Sequence, residues 1–93
     1  MKEKRLSEIK KLIDLGEVSN AIDNLTQLIS TETEDKDKIY YLMGNAYRKI
    51  GDWQGALNNY QYAIEVNPNS PAKHARKMII EVLDFYNKDM FNH

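Results

Sequence analysis

The side chains that could perform catalysis or bind a metal are few in this 93-residue chain. There is no cysteine, so disulfides, thiolate metal sites and cysteine nucleophiles are excluded. Of the two histidines, His93 is the last residue, and His74 has no second ligand four positions later. The acidic run at 31–38 lacks the glycine and the final glutamate of a calcium loop. The sequence therefore predicts no enzyme, no cofactor and no metal site.

The charge balance and hydropathy of the chain restrict the kinds of partner it could have. Lysine and arginine total 13, aspartate and glutamate total 14, and the formal net charge is -1. A general nucleic-acid binder needs a basic surface, so nucleic acid is not an expected partner. No stretch approaches the roughly 20 apolar residues of a membrane span, and residues 1–15 lack the apolar segment of a signal peptide. We therefore predict a cytoplasmic protein without nucleic-acid or membrane partners.

The sequence predicts five helices. Apolar residues recur three and four positions apart along the whole chain, and no alternating strand pattern competes. Gly16 and Gly51 are placed to end the first and third helices, and Asp52 is a candidate N-cap for the fourth. Ser70 and Pro71 form the start signal of the fifth. The predicted fold class is all-α.

The first two predicted helices repeat as the third and fourth. Gly16 coincides with Gly51 when the chain is shifted by 35 residues, and Ala21 then coincides with Ala56. A helix–turn–helix unit that repeats at this period is typical of a solenoid, in which each pair buries its apolar face against the next.

Residues 37–70 resemble one tetratricopeptide repeat. Gly44 and Ala56 are small where two helices should cross closely, and Tyr47, Trp53 and Tyr60 would fill the space around that crossing. The positions that carry the resemblance are Tyr40, Met43, Gly44, Tyr47, Ala56, Tyr60, Ala63 and Pro68. The resemblance implies a right-handed α-solenoid in one domain, 1–93. Its parts would be repeat one at about 3–35, repeat two at 37–70 and a C-terminal capping or interface helix at 71–91.

In this family the first helices of the repeats line a concave groove that holds a peptide or a partner's helix, so the resemblance implies a protein-binding scaffold. The groove positions carried over to this sequence are Lys38, Tyr41, Asn45, Arg48, Lys49, Lys73, Arg76 and Lys77. Asn45, Lys73 and Lys77 also resemble part of a clamp for the terminal carboxylate of acidic peptides. The match is partial, because Leu42 replaces an asparagine of that clamp. A solvated helix face would have a similar composition.

The fifth helix is apolar around more of its circumference than a capping helix requires. One apolar arc is expected to pack onto the fourth helix, namely Phe85, Met78, Val82, Tyr86 and Ile79. Further apolar residues continue the arc well beyond the roughly 100° of a single buried face, namely Ile80, Leu83, Met90 and Phe91. Either residues 87–93 fold back over them, or they contact a second copy or another protein. The alternative function is therefore a structural homodimer with no free peptide groove.

Overall fold

The structure, a computed structural model, describes the backbone of residues 2–91 and the side chains of residues 3–85. This part of the chain forms five helices and no strand, which confirms the all-α prediction. The helices are α1 (Lys2–Asp14), α2 (Val18–Thr31), α3 (Lys36–Lys49), α4 (Trp53–Val66) and α5 (Ala72–Phe91). The first hairpin consists of α1 and α2 and the second of α3 and α4; α3 packs on α2, and α5 packs on α4.

The two hairpins turn in the same way. Gly16 has φ +86° and Gly51 has φ +81°, a left-handed conformation that glycine adopts without a steric penalty. In both turns the residue after the glycine donates its amide to the carbonyl five residues earlier. Glu17 donates to Leu12 and Asp52 to Tyr47, each at 2.9 Å. This pattern satisfies helix-end carbonyls that would otherwise lack a partner. The predicted helix ends at Gly16 and Gly51 are thus confirmed.

One difference between the turns leads to a testable prediction. The Asp52 carboxylate accepts a hydrogen bond from the amide of Gly55 at 2.9 Å, whereas Glu17, at the corresponding position, makes no side-chain cap. Asp52→Ala should therefore lower the free energy of unfolding by about 1 kcal/mol. Glu17→Ala should change it by less than about 0.5 kcal/mol. Urea denaturation of both variants measures the difference, and equal losses would contradict the capping role.

The core lies in two clusters, one on each side of α3. The first is formed by α1, α2 and one face of α3, where Leu25 and Ile39 are fully buried. The second lies between α3, α4 and α5 and is built around Tyr60, which is also fully buried. Each hairpin thus buries one face against the next element, as expected for a repeat array.

The second hairpin crosses at the predicted small residue. A methyl group on Gly44 would overlap the aromatic ring of Tyr60. Near the turn, a methyl group on Gly55 would lie 2.9 Å from Cγ of Tyr47. The close approach of α3 and α4 predicted at Gly44 is therefore confirmed, with the tyrosine ring packed directly against it.

The prediction that the apolar arc of α5 packs onto α4 is confirmed for Ile79, and the side chain of Tyr86 lies outside those described. The prediction is wrong for Met78, Val82 and Phe85. These side chains are 44%, 47% and 77% exposed. The residues of α5 that are buried with α4 are Ala72, Ala75 and Ile79. The physical reason is size, because two alanines let α5 approach the surface around Tyr60 more closely than methionine or phenylalanine would.

The residues predicted for self-association are divided by the structure. Ile80 and Leu83 are half-buried, and Leu83 packs against the second core cluster. Met90 and Phe91 lie outside the residues whose side chains are described. Among the described residues, no helix has the length and apolar character needed to cross a bilayer.

Candidate functional site

A cleft of about 380 Å³ runs along α1 and α3, the first helices of the two hairpins. We call it the polar cleft, because charged and amide side chains form much of its wall. Its lining residues are Lys10, Ile13, Asp14, Tyr41, Leu42, Asn45, Arg48, Lys49 and Trp53.

A second cavity of about 220 Å³ lies between the end of α3, the start of α4 and the middle of α5. We call it the apolar pocket; it is lined by Arg48, Trp53, Met78, Ile79, Val82 and Leu83. Arg48 and Trp53 line both cavities, so the two are adjacent, and we call them together the groove. Beyond the apolar pocket the surface continues over Met78, Glu81, Val82 and Phe85.

An ordered set of polar side chains links the polar cleft to the core below it. The Tyr60 hydroxyl donates to Oδ1 of Asn45 at 2.5 Å. Burial raises the pKa of Tyr60 above its usual 10.0, and the neighbouring positive charge of Arg48 opposes part of that rise. The hydroxyl therefore keeps its proton at neutral pH. This bond holds the Asn45 amide with its oxygen toward Tyr60, which directs its NH₂ group elsewhere.

The polar cleft is basic although the whole chain is not. Its wall contains three basic side chains, Lys10, Arg48 and Lys49, and one acidic side chain, Asp14. The net charge of the chain is -1, so this excess of positive charge is local. Arg48 and Lys49 are exposed, and one exposed ion pair contributes only about 0–1 kcal/mol. Binding an acidic group here therefore depends on several donors acting together.

Comparison with known proteins identifies the family of the second hairpin. The family model for the tetratricopeptide repeat matches residues 37–70, which include α4 and all of α3 except its first residue. The second hairpin is a tetratricopeptide repeat. Such repeats generally mediate protein–protein interaction.

Two relatives of this tetratricopeptide repeat protein differ in how much of it they match. The solution NMR structure of Bacteroides fragilis protein BF1650 is 61% identical, with a TM-score of 0.86, over 94% of this chain and 88% of that one. Photosystem I assembly protein Ycf3 of Acaryochloris marina (strain MBIC 11017) is 36% identical over 56 residues, or 58% of this chain. The chain spans about a third (34%) of the length of that curated relative.

Only some of the groove positions that the tetratricopeptide repeat resemblance implies lie together in the structure. Tyr41, Asn45, Arg48 and Lys49 line the polar cleft. Lys38 lies at the start of α3, where its ammonium group is 3.9 Å from the carboxylate of Asp35.

The three predicted residues of α5 lie apart from both cavities. Lys73 and Lys77 are exposed and Arg76 is half-buried, and none of them lines the polar cleft or the apolar pocket. At about 100° per residue, Lys73 is on the opposite side of α5 from Val82. A role of these three residues in peptide binding stays a prediction.

The groove residues that sequence reasoning missed are Trp53, Met78 and Val82. Met78 and Val82 were missed because they were expected to pack onto the fourth helix, and Trp53 was missed because it was expected to fill the space around the helix crossing. The α3 face buried in the first core cluster consists of Ile39, Leu42 and Ala46. A shift of 35 residues converts these positions to His74, Lys77 and Glu81. Polar and charged side chains at all three positions were a signal that α5 must turn a different face inward.

Proposed function

We propose that the chain is a non-enzymatic protein–protein interaction module whose groove binds a peptide segment of a partner protein. The observation that carries the proposal is the polar cleft along α1 and α3, in which Asn45, Arg48 and Lys49 lie side by side. The tetratricopeptide repeat in the second hairpin supports a protein as the partner.

The chemistry of the polar cleft favours hydrogen-bond acceptors and negative charge. The Asn45 amide, oriented by Tyr60, would donate from its NH₂ group to a peptide carbonyl or carboxylate. Arg48 and Lys49 would add charge-assisted hydrogen bonds, which are stronger than neutral ones. An acidic residue of an extended peptide would meet both kinds of donor at once.

The proposal predicts that Arg48→Ala combined with Lys49→Ala weakens partner binding about tenfold. Each exposed pair contributes up to about 1 kcal/mol, and 1.4 kcal/mol corresponds to a factor of ten. Both side chains are exposed, so helical circular dichroism should not change. The measurement is capture of partners from an extract of the source organism, identified by mass spectrometry, followed by titration of the captured partner.

The matched control is Arg5→Ala combined with Lys11→Ala. It also removes one exposed arginine and one exposed lysine, but from the part of α1 outside the polar cleft. The control should bind like the unchanged protein. If both double variants lose the same partners, general electrostatics explains the capture; if neither loses any, the groove is not the binding site.

A further inference from the structure

The apolar pocket leaves large side chains exposed where α5 faces the start of α4. Met78 and Val82 form one wall and Trp53, at the start of α4, forms the other. These three side chains are 44%, 47% and 42% exposed, although each is large and apolar. Phe85, which is 77% exposed, continues the same surface. Apolar side chains grouped in this way favour a ligand that carries a bulky apolar group.

Charges of opposite sign lie at the two ends of this apolar surface. Arg48 lines the pocket at the end that joins the polar cleft, with Lys49 next to it in the cleft wall. Glu81 lies at the far end, beside Met78 and Val82. A complementary segment would therefore carry negative charge, then apolar side chains, then positive charge.

We propose that the groove recognises a peptide segment in which large apolar side chains stand between an acidic and a basic residue. This inference rests on the proposed function and names the chemistry of its partner. The acidic residue meets Arg48 and Lys49, the apolar side chains enter the pocket beside Trp53, and the basic residue meets Glu81. Because Arg48 lines both cavities, the acidic and apolar residues are close together in the peptide.

The apolar side chains should contribute most of the affinity, and the charges should set the position of the peptide. Removal of a large apolar side chain from water is worth more than one exposed ion pair. The charged residues at both ends instead disfavour a segment of uniform charge, because one end would then meet a like charge.

Trp53 is the only tryptophan of the chain and lines both cavities, so its fluorescence reports directly on the groove. The probe is the blocked synthetic peptide Gly-Ser-Glu-Glu-Leu-Leu-Lys-Lys-Ser-Gly. We expect it to shift the Trp53 emission and to bind at least tenfold more tightly than two comparison peptides. One comparison peptide has serine in place of both leucines, and the other has lysine in place of both glutamates.

Two variants with the same substitution test the position of the pocket. Val82→Asp alters the pocket wall, whereas Val66→Asp alters a similarly exposed valine (50% against 47%) at the end of α4. Val82→Asp should weaken the leucine peptide at least tenfold and leave the serine peptide unchanged, while Val66→Asp should affect neither. Met78→Ser is the second pocket variant and should also weaken only the leucine peptide.

The contrary results separate failure of the apolar-pocket inference from failure of the proposed function. If the serine peptide binds as tightly as the leucine peptide, or if both valine variants behave alike, the inference about the apolar pocket is wrong while the groove function stands. If light scattering shows a dimer that Val82→Asp dissociates and Val66→Asp does not, a second copy covers this surface and the inference is again wrong. If Arg48→Ala with Lys49→Ala leaves both peptide binding and partner capture unchanged, the proposed function itself fails.

Discussion

Replacing Tyr60 by alanine is expected to lower the free energy of unfolding by about 3–5 kcal/mol. The side chain is fully buried, its ring packs against Gly44, and its centroid lies 6.0 Å from that of Tyr41. Its hydroxyl also holds the Asn45 amide. Because a domain of this size is stable by only about 5–15 kcal/mol, the variant should retain little of its stability. Urea denaturation followed by far-ultraviolet circular dichroism measures the loss.

Tyr62→Ala is the matched control on the same helix. Tyr62 is 47% exposed, and its ring has one aromatic neighbour among the described contacts, Tyr40, at a centroid distance of 5.3 Å. Its removal should cost about 1 kcal/mol. Tyr60→Phe keeps the ring and removes the hydroxyl, so it should also cost about 1 kcal/mol. Equal losses for Tyr60→Ala and Tyr62→Ala would mean that the second core cluster is not built around Tyr60.

The two hairpins could be predicted from the sequence because their signals are local. A glycine in the left-handed conformation ends α1 and α3, and the Asp52 side chain begins α4 through a bond to an amide three residues away. The helix crossing is also encoded locally, since Gly44 leaves space that a large aromatic residue fills. None of these features depends on knowing how distant parts of the chain are oriented.

The orientation of α5 could not be read from its apolar pattern, because apolar residues lie on most of its faces. Of the apolar arc expected to contact α4, Ile79 is buried there, together with the small residues Ala72 and Ala75. Close packing against Tyr60 and Ala63 thus selects this part of the helix over the larger side chains of the arc. The outcome depends on the shape of α4 at the contact, which apolar spacing alone does not specify.

Only the part of the groove on α3 could be predicted from the sequence; the part that depends on the orientation of α5 could not. Tyr41, Asn45, Arg48 and Lys49 lie on one helix, and the resemblance to the tetratricopeptide repeat implied them as groove positions. The apolar pocket joins Trp53 to residues of α5 and exists only because of the way α5 is turned. Sequence reasoning therefore found the polar half of the groove and missed the apolar half.

Gly44→Ala should lower the free energy of unfolding by about 1–3 kcal/mol, although alanine is the better helix former. The added methyl group would overlap the ring of Tyr60, and that ring is fully buried and cannot swing into solvent. Either α3 and α4 move apart or the ring shifts, and both changes disturb the second core cluster. The measurement is urea denaturation of Gly44→Ala alone and in a Tyr60→Leu background.

If the overlap with Tyr60 is the cause, Gly44→Ala should cost at least about 1 kcal/mol less once leucine has replaced the ring. Gly51→Ala provides the control, because a methyl group there meets no atom within 4 Å, and its cost comes from φ +81°. That strain is worth about 1–2 kcal/mol and should be the same in both backgrounds. Equal costs of Gly44→Ala with and without the Tyr60 ring would show that α3 and α4 do not cross at this pair.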